Sequence, residues 1–356
     1  MSTEDNDLLA DYSLAEDDYY NPHDLLTRNG MWNFVVAGRG KGKTFAFKNL
    51  GIKNFLKKGE QFIYLRRWET ELNEKGTFWD DIAAYYPKYE FRVNGMVGEM
   101  RVTCELGKDC KKHKWQTVCF FQALSKAGNV KSVPFPKVTM IVFDEIFANN
   151  RRYLPVEYEA FQEFYSTVDR WKDKTRVFFL SNSVELANPY FITYDIVPSG
   201  RMFQRYAHGY IIVEIVDGGK FALKVKRTRF GQFIRNQEYA KYAIDNQFRD
   251  DTDTLVVNDK RGNMSYAFTI ETDIATMSFY VRFNDTMELN YHVVKHVPKN
   301  SIIYVTSPKR VTAEKKLVLK RDDLNRKVVN AYRNGLMTFE SPQIRSAFFD
   351  YLKNNL

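Results

Sequence analysis

The chain has 356 residues, 44% of them hydrophobic and three of them cysteine, with a formal net charge of +9. That length exceeds one typical domain and predicts two; three cysteines fit a reducing compartment better than a disulfide-stapled secreted scaffold. No stretch reaches the roughly 18 apolar residues of a membrane-spanning helix.

The charge is uneven. Residues 1–20 carry seven acids (Glu4, Asp5, Asp7, Asp11, Glu16, Asp17, Asp18) and no Lys or Arg, leaving 53 bases against 37 acids in the rest. The acidic start, residues 1–18, predicts a disordered tail. It is unlike a signal peptide, so the expected location is the cytoplasm. The basic body points to a polyanionic partner.

In chain order, "NFVVAG" (33–38) predicts a buried strand ending in glycine. "TFAFKNLGIKNFLKK" (44–58) has helical spacing with Gly51 as an interruption, and "EQFIYLRR" (60–67) predicts a second strand. Residues 68–86 read as a helix stopped by Pro87, and 88–104 as a hairpin turning at Asn94-Gly95. "KVTMIVFDE" (137–145) is an apolar strand with two acids at its tip, residues 155–172 a helix, "TRVFFLSNS" (175–183) a strand with a polar tip, and "GYIIVEIV" (209–216) a further strand. Strands alternating with helices predict an α/β fold, a parallel sheet with helices on both faces. Such sheets bind ligands at the carboxyl ends of their strands.

Three of those ends carry chemistry. "AGRGKGKT" (37–44) supplies Gly38, Gly40 and Gly42 for backbone N–H groups turned toward phosphate. Arg39 and Lys41 add charge, Lys43 can reach the outer phosphates, and the Thr44 hydroxyl suits Mg²⁺. The phosphate-loop consensus asks for Gly where Ala37 stands. At the tip of "MIVFDE", Asp144 is a candidate Mg²⁺ ligand through water, and Glu145 a candidate base for the attacking water. Asn182, in "FFLSNS", is read as a γ-phosphate sensor or a holder of the lytic water, or alternatively, with Ser181 and Ser183, as a helix cap. Upstream of it, Arg170 is a candidate cation donated to a neighbouring subunit's site. Together these predict a P-loop ATPase with an additional strand and a catalytic glutamate, using ATP and Mg²⁺.

Beyond these motifs, "YYNPHDLL" (19–26), "NFVVAGRGKGKT" (33–44), "EQFIYLRRWETEL" (60–72), "IVFDE" (141–145), "LSNSVELANPYF" (180–191), "TRFGQFI" (228–234) and "DNQF" (245–248) occur in one order. In these the chain resembles the DNA-packaging ATPases of the phi29 group of small podophages, relatives of the terminase large subunits. The resemblance implies an ATP-driven motor that pumps double-stranded DNA into a procapsid. It implies a homomeric, pentameric ring docked on the portal in the host cytoplasm, with a packaging RNA as a further candidate partner. It adds Tyr20 to the nucleotide-binding set and strengthens Arg170 as the trans-acting arginine. It makes either Lys126 or Lys131 a trans-acting or DNA-facing lysine, against the alternative of ordinary exposed loop lysines. The expected organisation is a tail over 1–18, an ATPase domain over 19–216, a linker over 217–250, with "GRMFQRYAHGY" (200–210) expected to help connect the two domains, and a C-terminal domain over 251–356.

Cys104, Cys110, His113 and Cys119 form a C-x5-C-x2-H-x5-C pattern. Its first gap is not a usual zinc spacing, and zinc is not expected. From 251 onward four strands ("YAFTIET", "MSFYVRF", "NYHVVKH", "SIIYVTS") and two helices (321–335, 341–353) predict a small β-rich domain. The resemblance makes it a degenerate RNase H-like nuclease domain. Its acids (Asp250, Asp251, Asp253, Asp259, Asp273, Asp285) fall at no matched strand positions, so no nuclease activity is expected. "KVKRTRFGQFIR" (224–235) and "SPKRVTAEKK" (307–316) are the candidate polyanion contacts. The competing functional classes are a helicase-like nucleic-acid-remodelling ATPase and a non-catalytic, nucleotide-gated scaffold.

Overall fold

A computed structural model of the protein describes residues 18–103, 114–130, 133–147, 153–154, 157–182, 188–196, 201–234, 263–284, 287–319 and 321–355. The chain divides into two compact units, one of residues 1–152, 159–184 and 198–247, the other of 153–158, 185–197 and 248–356.

The first unit is built on nine strands: β1 (Trp32–Val36), β2 (Gln61–Arg66), β3 (Tyr89–Asn94), β4 (Val97–Val102), β5 (Gln116–Ala123), β6 (Val138–Phe143), β7 (Arg176–Ser181), β8 (Phe203–Tyr206) and β9 (Ile211–Ile215). Their order is β3-β4-β5-β2-β6-β7-β1-β9-β8. The six strands from β5 to β9 in that order are parallel. β3, β4 and β8 add antiparallel edges. The central strands are buried on both faces, as parallel strands between helices must be.

Helices α1 (His23–Thr27), α2 (Lys43–Lys58) and α3 (Glu157–Asp169) precede or cover this sheet. α2 packs Ala46, Phe47 and Ile52 onto one face, with the Phe47 and Phe178 rings 4.4 Å apart. Gly51 does not interrupt α2. A Cβ there would lie 2.4 Å from the Phe62 ring, so the glycine lets the helix approach β2. On the other face α3 buries Phe161, Phe164 and Val168, a three-four helical spacing. Phe161 stands 4.9 Å from Phe179, which stacks on Phe34 at 4.3 Å.

Local expectations are corrected at four places. Residues 68–86 form two 3₁₀ helices, Glu69–Thr77 and Ala83–Tyr85, rather than one α-helix. The buried Leu72, Phe78, Trp79 and Ile82 do keep a helical stripe, but Gly76 falls inside the run and the backbone turns there. "QTVCFFQA" is an unforeseen central strand, β5, paired in parallel with β2. "GRMFQRYAHGY", expected in a linker, supplies the edge strand β8. Of the linker expected over 217–250, residues 219–227 (α5, after a short α4 at Pro189–Thr193) and 229–234 (α6) are helices grouped with the first unit.

The second unit carries β10 (Ser265–Glu271), β11 (Thr276–Phe283), β12 (Leu289–Val294), β13 (Ile303–Val305), β14 (Lys315–Leu317) and β15 (Met337–Phe339) in the order β14-β13-β10-β11-β12-β15. β10, β11 and β12 are an antiparallel meander; β13 runs parallel to β10 and β14 parallel to β13. Helices α7 (Asp323–Arg333) and α8 (Pro342–Asn355) complete it, and α8 buries Ile344, Ala347, Phe348, Tyr351 and Leu352. This is a small β-rich domain, an antiparallel meander extended by parallel strands on both sides.

Candidate nucleotide site

The glycine-rich segment leaves β1 at its carboxyl end and enters α2 at Lys43. Gly40 and Gly42 hold left-handed backbone at φ 77° and 83°, conformations that L side chains rarely adopt. At Gly42 a Cβ would also press on the Tyr19 ring at 3.1 Å. Ala37, at the departure from consensus, takes no left-handed conformation, so its methyl costs no strain. Its N–H donates to Ser181 O at 3.2 Å, tying the loop to the end of β7.

Lys43 is buried. Its Nζ donates to Ala37 O at 2.8 Å, Gly38 O at 3.1 Å and Asn182 Oδ1 at 2.9 Å. Burial pulls its pKa down to about 8, while Asp144 and Glu145 act to raise it. Thr44 Oγ1 donates to Asp144 Oδ2 at 2.8 Å. Phosphate loop, Asp144 and Asn182 therefore converge from the ends of β1, β6 and β7, which lie side by side in the sheet. A buried ammonium held by neutral oxygens, above backbone N–H groups at a helix start, fits an anionic ligand. Thr44 and Asp144 together fit an oxygen-liganded, water-carrying divalent ion.

Glu145 adopts a left-handed backbone at φ 54° and its side chain is 45% exposed. Backbone strain in a non-glycine residue is a feature of functional sites. Its carboxylate accepts from Arg66 Nη2 at 2.7 Å. Arg66 and Tyr64, both on β2, were not singled out as site residues from sequence. Tyr64 OH donates to Asp144 Oδ2 at 2.9 Å. Burial and the Asp144 charge push the Tyr64 phenol up. The signal was present in "EQFIYLRR": alternating polar residues at the tip of an otherwise apolar strand.

Tyr20 touches the loop through its backbone, its N–H donating to Lys41 O at 2.8 Å. Its buried phenol turns to Glu214 Oε2 at 2.6 Å. Burial raises the Glu214 carboxyl to about 7, against the lowering effect of the Tyr20 hydrogen bond. Lys41 lies 4.9 Å from the Phe221 ring centroid, and its Nζ reaches Gly218 O at 3.4 Å. Arg39 is exposed on the loop.

The remaining candidates are dispersed. Arg170 is exposed beyond the end of α3, before β7 begins, so it lies at the opposite end of the sheet from its own loop. Lys126 pairs with Glu69 at 3.3 Å. Lys131, Cys104, Cys110 and His113 lie outside the described residues, as do Asp250, Asp251, Asp253, Asp259 and Asp285. Cys119 is buried within β5, its thiol pushed up by burial. In the second unit Glu271 accepts from Arg310 at 2.8 Å and Lys315 at 2.7 Å, and Asp273 pairs with Arg310 at 3.2 Å. Two of the four cations of "SPKRVTAEKK" are thus neutralised within the unit. Lys224 is likewise paired with Asp18, at 2.8 Å.

Residues 14–355 match the family model described as podovirus DNA encapsidation protein (Gp16). The chain is 34% identical to a DNA packaging protein of Bacillus phage B103 over 336 residues, 92% of this chain and 98% of the relative. It is 31% identical to the DNA packaging protein of Bacillus phage phi29 over 341 residues, 94% and 97% of the two chains. Among solved structures, a chain of the phi29 viral genome packaging motor assembly aligns with TM-score 0.64 and 28% identity, covering 95% of this chain and 99% of that one. The N-terminal domain of the phi29 DNA packaging ATPase aligns with TM-score 0.50 and 34% identity over 57% of this chain and 98% of its own.

Proposed function

We propose, from the premise that this chain belongs to the podovirus DNA encapsidation protein family, that it is an ATP-hydrolysing motor subunit that drives double-stranded DNA into a procapsid. The observation that carries the ATPase reading is the convergence of Lys43 on Asn182 and of Thr44 on Asp144 across three neighbouring strand ends.

In this reading Gly38, Arg39, Gly40, Lys41 and Gly42 cradle the phosphates, with Lys43 on the outer ones. Thr44 and Asp144 hold Mg²⁺, which when bound supplies charge neutralisation at the transferring phosphoryl group. Glu145 orients the attacking water once Arg66 releases it, and Asn182 reads the γ-phosphate. Tyr20 braces the loop from below. Arg170 faces away from its own loop and serves a neighbouring subunit, which requires a ring; five subunits is the count that the family resemblance implies. The portal, and a packaging RNA, are the further partners of that ring in the host cytoplasm, with Lys126 or Lys131 facing DNA or the neighbouring site.

The first unit carries this chemistry and the second serves as the degenerate nuclease-like domain. Against nuclease activity stands the engagement of Glu271 and Asp273 by Arg310 and Lys315, which leaves those two acids committed to ion pairs.

The test is ATP hydrolysis by the full chain with and without duplex DNA and procapsids. Hydrolysis stimulated by both, and lost in Glu145→Gln, supports the reading. Duplex unwinding without any procapsid would instead make the protein a helicase-like remodeller. Tight ATP binding without turnover would make it a gated scaffold.

A further inference from the structure

The segment between α3 and β7 is short, strained and locked. Three non-glycine residues in it, Arg170, Trp171 and Asp173, hold left-handed backbone at φ 52°, 59° and 51°. Such conformations persist only where the surroundings over-determine them. Here the surroundings are one side chain. Asp169, 2% exposed, accepts four backbone N–H groups: Lys172 and Asp173 on Oδ2, both at 2.9 Å, and Lys174 and Thr175 on Oδ1 at 3.1 and 2.9 Å. The base of the loop is fastened as well. Lys174 Nζ donates to Pro136 O at 2.8 Å and Tyr165 OH to Thr175 O at 3.1 Å.

This scaffold holds Trp171 at 90% exposure, beside the exposed Arg170 and Lys172. Exposing an indole is unfavourable, and fixing it in place forgoes the entropy of a mobile loop. A pre-organised Trp next to an Arg is the composition of an interface anchor. The chain's own nucleotide site is not its target. β7 runs from Arg176 to Ser181 before it meets the phosphate loop, a separation of roughly 20 Å at about 3.3 Å per residue.

We propose that the Arg170–Lys174 loop is a rigid prong whose Trp171 anchors the contact with a second copy of this chain, at the rim of that copy's phosphate-loop end. Two arguments select this partner. The prong presents Arg170 and Lys172, and the phosphate-loop end presents the exposed Glu69 and the half-exposed Glu145, whose present partners Lys126 and Arg66 the arriving cations would join or replace. A patch at one end of the sheet meeting a patch at the other is a heterologous contact, the kind that closes into a ring. Asp169 is a positioning residue here, and Trp171 the anchor that lets Arg170 arrive in register. The inference rests on the ring ATPase reading above.

The test uses the full chain, wild type and the variants Trp171→Phe and Trp171→Ala. Of the five tryptophans, Trp32 and Trp79 are buried and Trp68 and Trp115 partly so; the wild type minus Trp171→Phe difference in acrylamide quenching therefore isolates Trp171. On assembly with Mg²⁺ and a slowly hydrolysed ATP analogue, the Trp171 quenching constant should fall severalfold. Trp171→Ala should raise the concentration at half-assembly, measured by sedimentation, roughly tenfold or more. Its affinity for the nucleotide as monomer should stay within about twofold, which also reports that it is folded. Undiminished quenching in the assembled state, or unchanged assembly of Trp171→Ala, overturns the proposal. So does protection by duplex DNA of a chain that has not assembled, which would make the prong a DNA contact. If the wild type neither assembles nor hydrolyses ATP, the ring ATPase reading fails. If it does both and Trp171 stays quenchable, only the present inference fails.

Discussion

At the scale of single residues, the site is a set of buried charges whose partners are mostly neutral until an anion arrives. Lys43 spends its three N–H donors on two carbonyls and an amide oxygen. Replacing it by Met keeps the stem and removes the charge that phosphates would meet; ATP affinity should fall by at least tenfold in a direct binding measurement, with thermal stability little changed. Glu145 differs, because its partner is the cation Arg66, which under the proposed function must let go. Glu145→Gln should leave ATP binding intact and lower kcat by roughly 10²–10⁴-fold, the range for a lost general base. Equal loss of binding and turnover would argue that the residue only supports the loop. Asp144 and Glu145 stand out in the sequence as the polar tip of an apolar strand, and Lys43 as the end of a glycine-rich segment leading into a helix. Arg66 was not legible as a site residue. A basic residue at a strand end usually means only solvent, and nothing in the linear pattern brings β2 beside β6.

At the scale of elements, the loop is held in place by what lies under and beside it. Tyr20, just before α1, joins Lys41 by its backbone and Glu214 on β9 by its phenol. The Glu214 pKa, raised to about 7 by burial, makes this brace pH-dependent. With a folded value above the unfolded 4.5, the native state binds the extra proton between those values. The contribution of Glu214 to stability is therefore full below about 4.5 and lost as pH rises toward about 7. Glu214→Gln keeps an acceptor for Tyr20 without the charge. Relative to wild type it should gain roughly 1–3 kcal/mol between pH 4.5 and 7 and nothing more above. A stability difference that is flat with pH would count against a buried, protonated Glu214. Elements were legible where their period was clean. β1, β6 and β7 stand out as apolar runs, and α3 shows its three-four spacing. β5 was hidden because Cys119 was weighed as a metal ligand rather than as a small buried apolar side chain. Residues 68–86 misled because Leu72, Phe78, Trp79 and Ile82 keep a helical stripe, while Gly76 breaks the run and Phe78 and Trp79 are set by the Tyr64, Phe121 and Phe62 rings of the sheet.

At the scale of the whole molecule, charge and assembly decide the behaviour. Several cations of the body are engaged internally, Lys224 by Asp18 and Arg310 and Lys315 by Glu271 and Asp273. The duplex-DNA contact should accordingly be nonspecific and of modest valence: with roughly four phosphates neutralised, affinity should fall about 10²-fold between 50 and 200 mM salt. A salt-independent, sequence-selective contact would contradict it.

Assembly is tested most sharply by two inactive variants. Arg170 lies at the far end of the sheet from Lys43, so a subunit lacking it keeps its own Glu145, and a subunit lacking Glu145 keeps its own Arg170. Mixed in equal amounts and co-assembled, Arg170→Ala and Glu145→Gln chains should regain hydrolysis that neither shows alone. In a ring filled at random, about one site in four would unite an intact Glu145 with an intact neighbouring arginine, so hydrolysis near a quarter of wild type is expected if sites fire independently. Less than that, with clear recovery nonetheless, would measure how strongly the sites depend on one another. No recovery at all, in rings shown to contain both chains, would place Arg170 outside the neighbouring site.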